Sequence, residues 1–160
     1  MTLPLSSRQM VALAVAGSAG LLIGALIFQS LGFAPCELCI LQRWPHLAAA
    51  LIGAAYLALR LPAVTLIAGA LAAAATSALG VYHSGVERHI FEGPTSCTSN
   101  GVTGLNATDL LAQIQTAPLV RCDEIVWDIF GITMPNLNAV FSAGLVVWWL
   151  IAFAKARRGA

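Results

Sequence analysis

The sequence predicts an all-α membrane protein, a four-transmembrane-helix bundle with two outer loops, the second containing a short interfacial helix. Three observations carry this. The 160 residues are 59% hydrophobic and only 9% charged, with a mean hydropathy of +0.84, a balance that excludes an ordinary soluble domain. Four apolar runs, about 9–31, 41–59, 61–82 and 137–154, reach or approach the roughly 17 to 25 residues that a helix needs to cross a hydrocarbon core. The basic residues divide unevenly: Arg8, Arg60, Lys155, Arg157 and Arg158 lie at one set of run ends, and only Arg43, Arg88 and Arg121 at the other. The excess of Lys and Arg on the cytoplasmic side then places both termini in the cytoplasm. The chain reads as a single membrane domain, 1–160, with outer loops at about 32–40 and 83–136.

Taken in order, the first run follows Arg8 and contains Ala-x-Ala, which resembles a signal peptide. Its length of about twenty residues and the three later runs argue against cleavage. The second and third runs are joined by Leu59-Arg60-Leu61-Pro62, a short turn. The polar region from about 83 to 135 is too long for an ordinary connection and is therefore expected to be functional. Its first part, Gly93-Pro94-Thr95-Ser96-Cys97-Thr98-Ser99-Asn100-Gly101, favours irregular backbone, so Cys97 is expected to be mobile and exposed. Residues 106–116 suit a short helix capped by Asn106 or Thr108, lying on the membrane surface. Residues 121–130 mix charge with Trp127 and Phe130, the composition of an interfacial segment. The fourth run ends in the basic cluster at the C-terminus.

All seven acidic residues and all four cysteines, Cys36, Cys39, Cys97 and Cys122, fall on the outer side. That side is an oxidising compartment, and an even cysteine count there suits two pairs.

Cys36-x-x-Cys39 can be a redox couple, half of a metal site or a structural bridge, and spacing alone does not choose. Cys39 lies near the start of the second run, where unsatisfied N–H groups and the helix dipole favour a thiolate. Arg43 follows one turn later, as a functional group or as an interfacial anchor. Pro45 requires either that the regular helix begin near 41–44 or that it begin earlier and be kinked. A Cys97–Cys122 bridge would close a loop of about 25 residues and stabilise it by roughly 3 kcal/mol, which suits a structural role as well as a catalytic one. One Cys-x-x-Cys with His83 and His89 nearby is a weak zinc signal. His46, alone in an apolar run, reads as a hydrogen-bonded interior residue, and Glu87-Arg88 as the solvated start of a loop.

Three stretches together carry a resemblance. They are Pro35-Cys36-x-x-Cys39-x-x-Gln42-Arg43, then Gly93-Pro94-Thr95-Ser96-Cys97, then Cys122-Asp123-Glu124-x-x-Trp127-Asp128-x-Phe130-Gly131-x-x-Met134-Pro135. With four runs around them, the chain resembles the DsbB family of bacterial inner-membrane disulfide-generating oxidoreductases over essentially its whole length. The resemblance implies reoxidation of a DsbA-like periplasmic thioredoxin-fold protein and delivery of its electrons to a membrane quinone, either ubiquinone or menaquinone. By position, Cys97 would form the mixed disulfide with the partner, Cys122 would attack Cys36, and Cys39 would be the thiolate facing the quinone. Arg43, Gln42 and His83 would be the quinone-side residues. The implied location is the bacterial inner membrane, with the lipid bilayer and no nucleic acid among the partners. Residues 80–97 depart from the family pattern. An enzyme resembling vitamin K epoxide reductase is the alternative, although there the quinone-facing pair follows the loop pair. The non-enzymatic alternative is a membrane anchor or interaction protein with two structural disulfides.

Overall fold

The computed structural model describes residues 5–98, 106–108, 111, 115 and 120–159. It holds four long helices: α1 (Ser7–Ser30), α2 (Glu37–Leu59), α3 (Thr65–Glu87) and α4 (Met134–Arg158). Each is long and apolar enough to cross a membrane, since 23 residues at about 1.5 Å per residue extend about 35 Å against a hydrocarbon core of about 30 Å. Large apolar side chains such as Leu13, Ile23, Leu51, Leu71 and Val140 are exposed on the outside of the bundle, where a bilayer rather than water would cover them. The expected short helix at 106–116 lies largely outside the described residues.

The helix ends differ from the hydropathy boundaries because capping, not apolarity, sets them. α1 starts at Ser7 because Ser6 and Gln9 form a reciprocal capping box, each side chain bonding the other's backbone N–H at 3.2 and 2.8 Å. α2 starts at Glu37, earlier than 41. Cys36 is its N-cap, and the Cys36 Sγ accepts the Cys39 N–H at 3.2 Å. Pro45 therefore lies inside the helix; a membrane helix tolerates it where neighbouring groups satisfy the freed backbone. α3 begins at Thr65, whose N–H and hydroxyl both donate to Pro62 O. At its other end α3 continues to Glu87, so His83 to Glu87 are helical and not the opening of a loop. α4 begins at Met134 behind Thr133 and Asn136, another capping box, with proline in its first turn.

Ahead of α4, β1 (Asp128–Ile129) and β2 (Ile132–Thr133) form a minimal antiparallel hairpin. Phe130 and Gly131 join them with φ of 52° and 79°, the two left-handed positions of a type I′ turn. Trp127, just before the hairpin, meets Phe28 of α1 edge-on with ring centroids 5.7 Å apart.

α3 packs most extensively on α4, and α2 on α3. The close approach of α3 and α4 depends on Gly80. A Cβ there would lie 2.9 Å from Ala139 N and 3.0 Å from Pro135 O, so only a glycine lets the two backbones touch. At the end carrying the termini, the core comprises Met10, Val11, Ala14, Tyr56, Leu66, Ala70, Ala73, Trp149 and Ala152. At the opposite end, which carries the two long connections, Leu38 and Val86 are buried together with polar and sulfur-bearing side chains.

Candidate functional site

The polar end of the bundle gathers all four cysteines. Cys97 and Cys122 form a disulfide, while Cys36 and Cys39 are free thiols with sulfurs 2.8 Å apart, the Cys36 S–H donating. Cys36, Cys97 and Cys122 are buried in one cluster with Leu38 and Val86, and Cys39, Tyr82 and Val120 pack against it. The hydrogen bond to Cys39 first, and burial second, push the Cys36 thiol up, so in this reduced pair Cys36 keeps its proton.

Cys97 was expected to be exposed and is instead 2% exposed. Its disulfide, the turn that brings its N–H to Pro94 O and the Cys122 N–H to Cys97 O hydrogen bond at 2.6 Å hold it inward. The hydroxyl of Ser96 also donates to the Glu37 carboxylate at the start of α2, tying the loop to the helix that carries the other cysteine pair. Polar, turn-rich neighbours made the segment look exposed, but a disulfide is apolar and packs as such.

A cavity of about 260 Å³ opens beside the pair, lined by Cys36 at the N-cap of α2, by Cys39, Gln42, Arg43 and His46 of α2, by His83 and Glu87 of α3, and by apolar residues of α1 and a mixed set from the 120–127 segment that includes Arg121 and Glu124. Cys39 and Arg43, one turn apart on α2, both face it. Arg43 donates from Nη1 to Gln29 Oε1 at 2.8 Å, and its Nε is buried without a hydrogen-bond partner among the described residues. Gln42 and His83 also line the cavity, but their polar atoms are engaged elsewhere. Gln42 Nε2 donates to Leu38 O at 3.1 Å and to His83 Nδ1 at 2.8 Å, and His83 Nε2 stands 3.5 Å from Cys36 Sγ. The Cys122 main chain also reaches the His83 ring.

Sequence reasoning missed three residues here. Glu87, taken for a solvated loop residue, is 7% exposed and its Oε2 has no hydrogen-bond partner among the described residues; the extension of α3 past Tyr82 carries it inward. Arg88, next to it, closes the helix by donating to Ser84, Gly131 O and Asn136 Oδ1. Asn138, on the first turns of α4, bonds both Gln42 and His46. A polar residue inside an apolar run is costly unless it faces a partner, and that rule would have singled out Asn138.

Cys36 Sγ, Cys39 Sγ and His83 Nε2 lie within 4.8 Å of one another, close enough for three ligands of one metal ion. An amide NH2 can only donate, so Gln42 Nε2 makes Nδ1 the acceptor and leaves the proton on Nε2. Nε2 thus faces the sulfur with an N–H and not with the lone pair that a metal needs.

The model of the family described as disulfide bond formation protein DsbB matches residues 7–152. Two proteins called disulfide bond formation protein B, from two strains of Xanthomonas oryzae pv. oryzae, are each 32% identical over 163 aligned positions, covering 96% of this chain and 94% of theirs. An uncharacterized protein of Rickettsia prowazekii, RP370, is 29% identical over 119 residues, 72% of this chain and 69% of its own length. No solved structure matches.

Proposed function

The chain belongs to the DsbB family, as a multi-pass membrane protein of disulfide bond formation, and from that premise we propose a complete thiol-to-quinone relay. The observation that carries it is the shared cluster: an oxidised pair, Cys97–Cys122, and a reduced pair, Cys36 and Cys39, are buried together at the mouth of one cavity. Two structural bridges would have no reason to sit against each other, or to leave one of them open beside a cavity.

In this reading the cytoplasm holds both termini, the cysteines face the periplasm and the membrane is the bacterial inner membrane. A thiolate of a DsbA-like partner attacks Cys97, the partner–Cys97 bond forms and Cys122 leaves with the electron pair. Cys122 attacks Cys36, and Cys39 leaves as a thiolate. The partner's second thiol releases Cys97, and Cys97 then attacks Cys122, which restores the outer disulfide. Cys36 and Cys39 are left as the reduced pair, the arrangement of cysteines found in this fold.

The cavity suits a quinone head. Its lining is mostly apolar, Cys39 and Arg43 face it, and Arg43 and Glu87 at its wall carry Nε and Oε2 atoms with no hydrogen-bond partner among the described residues. A bound quinone supplies the two-electron acceptor; the chain's part is to bring the Cys39 sulfur to it, to supply positive charge from Arg43 and to exclude water. That acceptor matters thermodynamically, because a DsbA-like partner is itself a strong oxidant, and each 30 mV of mismatch costs about 1.4 kcal/mol.

The test is direct. The purified protein, given reduced DsbA-like partner and a soluble ubiquinone or menaquinone analogue, should oxidise the partner and reduce one quinone per disulfide. Partner oxidation independent of quinone, or none at all, would refute the relay.

A further inference from the structure

Four side chains from three helices join end to end behind the inner cysteine pair. His46 Nε2 donates to Asn138 Oδ1 at 2.8 Å; Asn138 Nδ2 donates to Gln42 Oε1 at 2.6 Å; Gln42 Nε2 donates to His83 Nδ1 at 2.8 Å; and His83 Nε2 faces Cys36 Sγ at 3.5 Å. Every bond runs in the same direction, toward the sulfur. Two backbone carbonyls favour this direction, and the bonds among the side chains complete it. Asn138 Nδ2 also donates to Thr76 O at 3.3 Å, and Gln42 Nε2 also donates to Leu38 O at 3.1 Å. Turning either amide over would set oxygen against a carbonyl oxygen in a buried site and leave that carbonyl without its donor. Hydrogen bonds in such a chain polarise one another in the same sense.

We infer that His46, Asn138 and Gln42 are positioning residues that lock the His83 tautomer, so that Cys36 Sγ meets an N–H donor and not a basic lone pair. The inference rests on the redox reading of Cys36 and Cys39. Its chemical consequence lies in the step that frees Cys36 from Cys122. Cys97, having lost its proton to water, attacks Cys122 Sγ; the Cys97–Cys122 bond forms, the Cys36–Cys122 bond breaks and the electron pair leaves on Cys36 Sγ. The His83 N–H meets that charge until Cys36 takes up a proton from water. The opposite tautomer would set a lone pair against the leaving sulfur and oppose its release.

Two measurements that need neither quinone nor partner test this, so their failure is distinct from a failure of the relay. The first uses the protein with its natural sequence and 15N-labelled histidine in detergent micelles: His83 should appear with Nε2 protonated and Nδ1 bare, and the reverse tautomer would overturn the inference outright. The second follows alkylation of Cys36 by iodoacetamide against pH in a Cys39→Ser background, with and without Asn138→Leu. Around Cys36 the other ionisable groups are Arg43 and His46 of α2, Glu87 of α3, and Arg121 and Glu124 of the outer segment; Asn138→Leu alters none of their charges. Losing the lock should populate the other tautomer, slow alkylation at neutral pH about threefold to tenfold and shift its profile to higher pH. Gln42→Glu, which accepts where Gln42 donates, should flip the His83 signal; because it adds a charge beside Cys36, its alkylation profile is read only together with that signal. An unchanged tautomer and an unchanged alkylation profile in both variants would show that the chain does not set the role of His83.

Discussion

The two ends of the bundle solve different problems with the same four helices. At the end carrying the termini, Met10, Val11, Leu66 and Trp149 are fully buried, and glycines make room for the indole. A Cβ at Gly69 would fall 2.8 Å from the Trp149 ring, and one at Gly53 2.9 Å from it. At the other end Gln42, His46, Thr76, His83 and Glu87 are buried instead, around a cavity and four sulfurs. Among the described residues five buried side-chain atoms lack partners, and three of them, Arg43 Nε, His46 Nδ1 and Glu87 Oε2, belong to residues lining that cavity. Each such atom costs about 1–3 kcal/mol. One end of the bundle is thus arranged for stability, whereas the other gives up stability to hold groups that a ligand or a reaction can use.

The sharpest break between the ends comes from Cys39→Ser. It replaces one sulfur with oxygen at the cavity and leaves the Trp149 core untouched. Quinone reduction should fall to background while helix content and thermal unfolding in detergent stay near those of the parent protein. Residual turnover above a few per cent would remove Cys39 from the quinone step. At the other end Gly69→Ala should act in the opposite way. Its methyl collides with the packed Trp149 ring, and overpacking of this kind costs about 1–3 kcal/mol. The unfolding temperature should drop, while quinone reduction per folded molecule is kept. Loss of activity in proportion to stability would mean that the two ends are mechanically coupled.

The same division explains what could be read from sequence. The four spans were legible because lipid demands long apolar runs, a constraint that acts on composition alone. The cysteines and Arg43 stood out because polar, reactive residues at a membrane edge are conspicuous, and the fold gathers them at one end of the bundle. The inward turn of Glu87 was not, because the hydropathy of α3 fades at Tyr82 while its hydrogen bonds continue to Glu87. Nor was the burial of Cys97, which depends on the disulfide and on a contact between Ser96 and Glu37, 59 residues apart in the chain. The hairpin before α4 was missed because Phe130-Gly131 lacks the usual Asn-Gly or Asp-Gly signal of its turn.

A smaller effect should come from Arg43→Ala. The side chain bridges to Gln29 on α1 but leaves Nε unused toward the cavity. If that charge meets the bound quinone, the KM for a quinone analogue should rise about fivefold to tenfold with kcat changed less, the pattern of lost ligand binding. An unchanged KM would confine Arg43 to bracing α1 against α2.

The mildest change tests how the outer pair is released for attack. Cys97 is 2% exposed, so in the proposed relay a partner thiolate reaches it only after the loop lifts from the top of α2, and among the described residues the side-chain tie there is the Ser96 hydroxyl on Glu37. Ser96→Ala removes this bond and leaves the disulfide, the Cys97 turn and the cavity in place. The contact is exposed, so its loss should amount to less than about 1 kcal/mol, below the range of about 1.5–3 kcal/mol for hydrogen bonds to charged groups. Reduction of Cys97–Cys122 by a small thiol such as dithiothreitol should therefore quicken about twofold to threefold. Glu37→Gln, which keeps an acceptor oxygen but loses the charge, should give a smaller acceleration in the same direction. Quinone reduction by an enzyme already reduced at Cys36 and Cys39 should not respond to either change, because neither residue lines the cavity. A slower reduction of the outer disulfide in Ser96→Ala would show that the tie holds Cys97 in the attackable position and does not shield it.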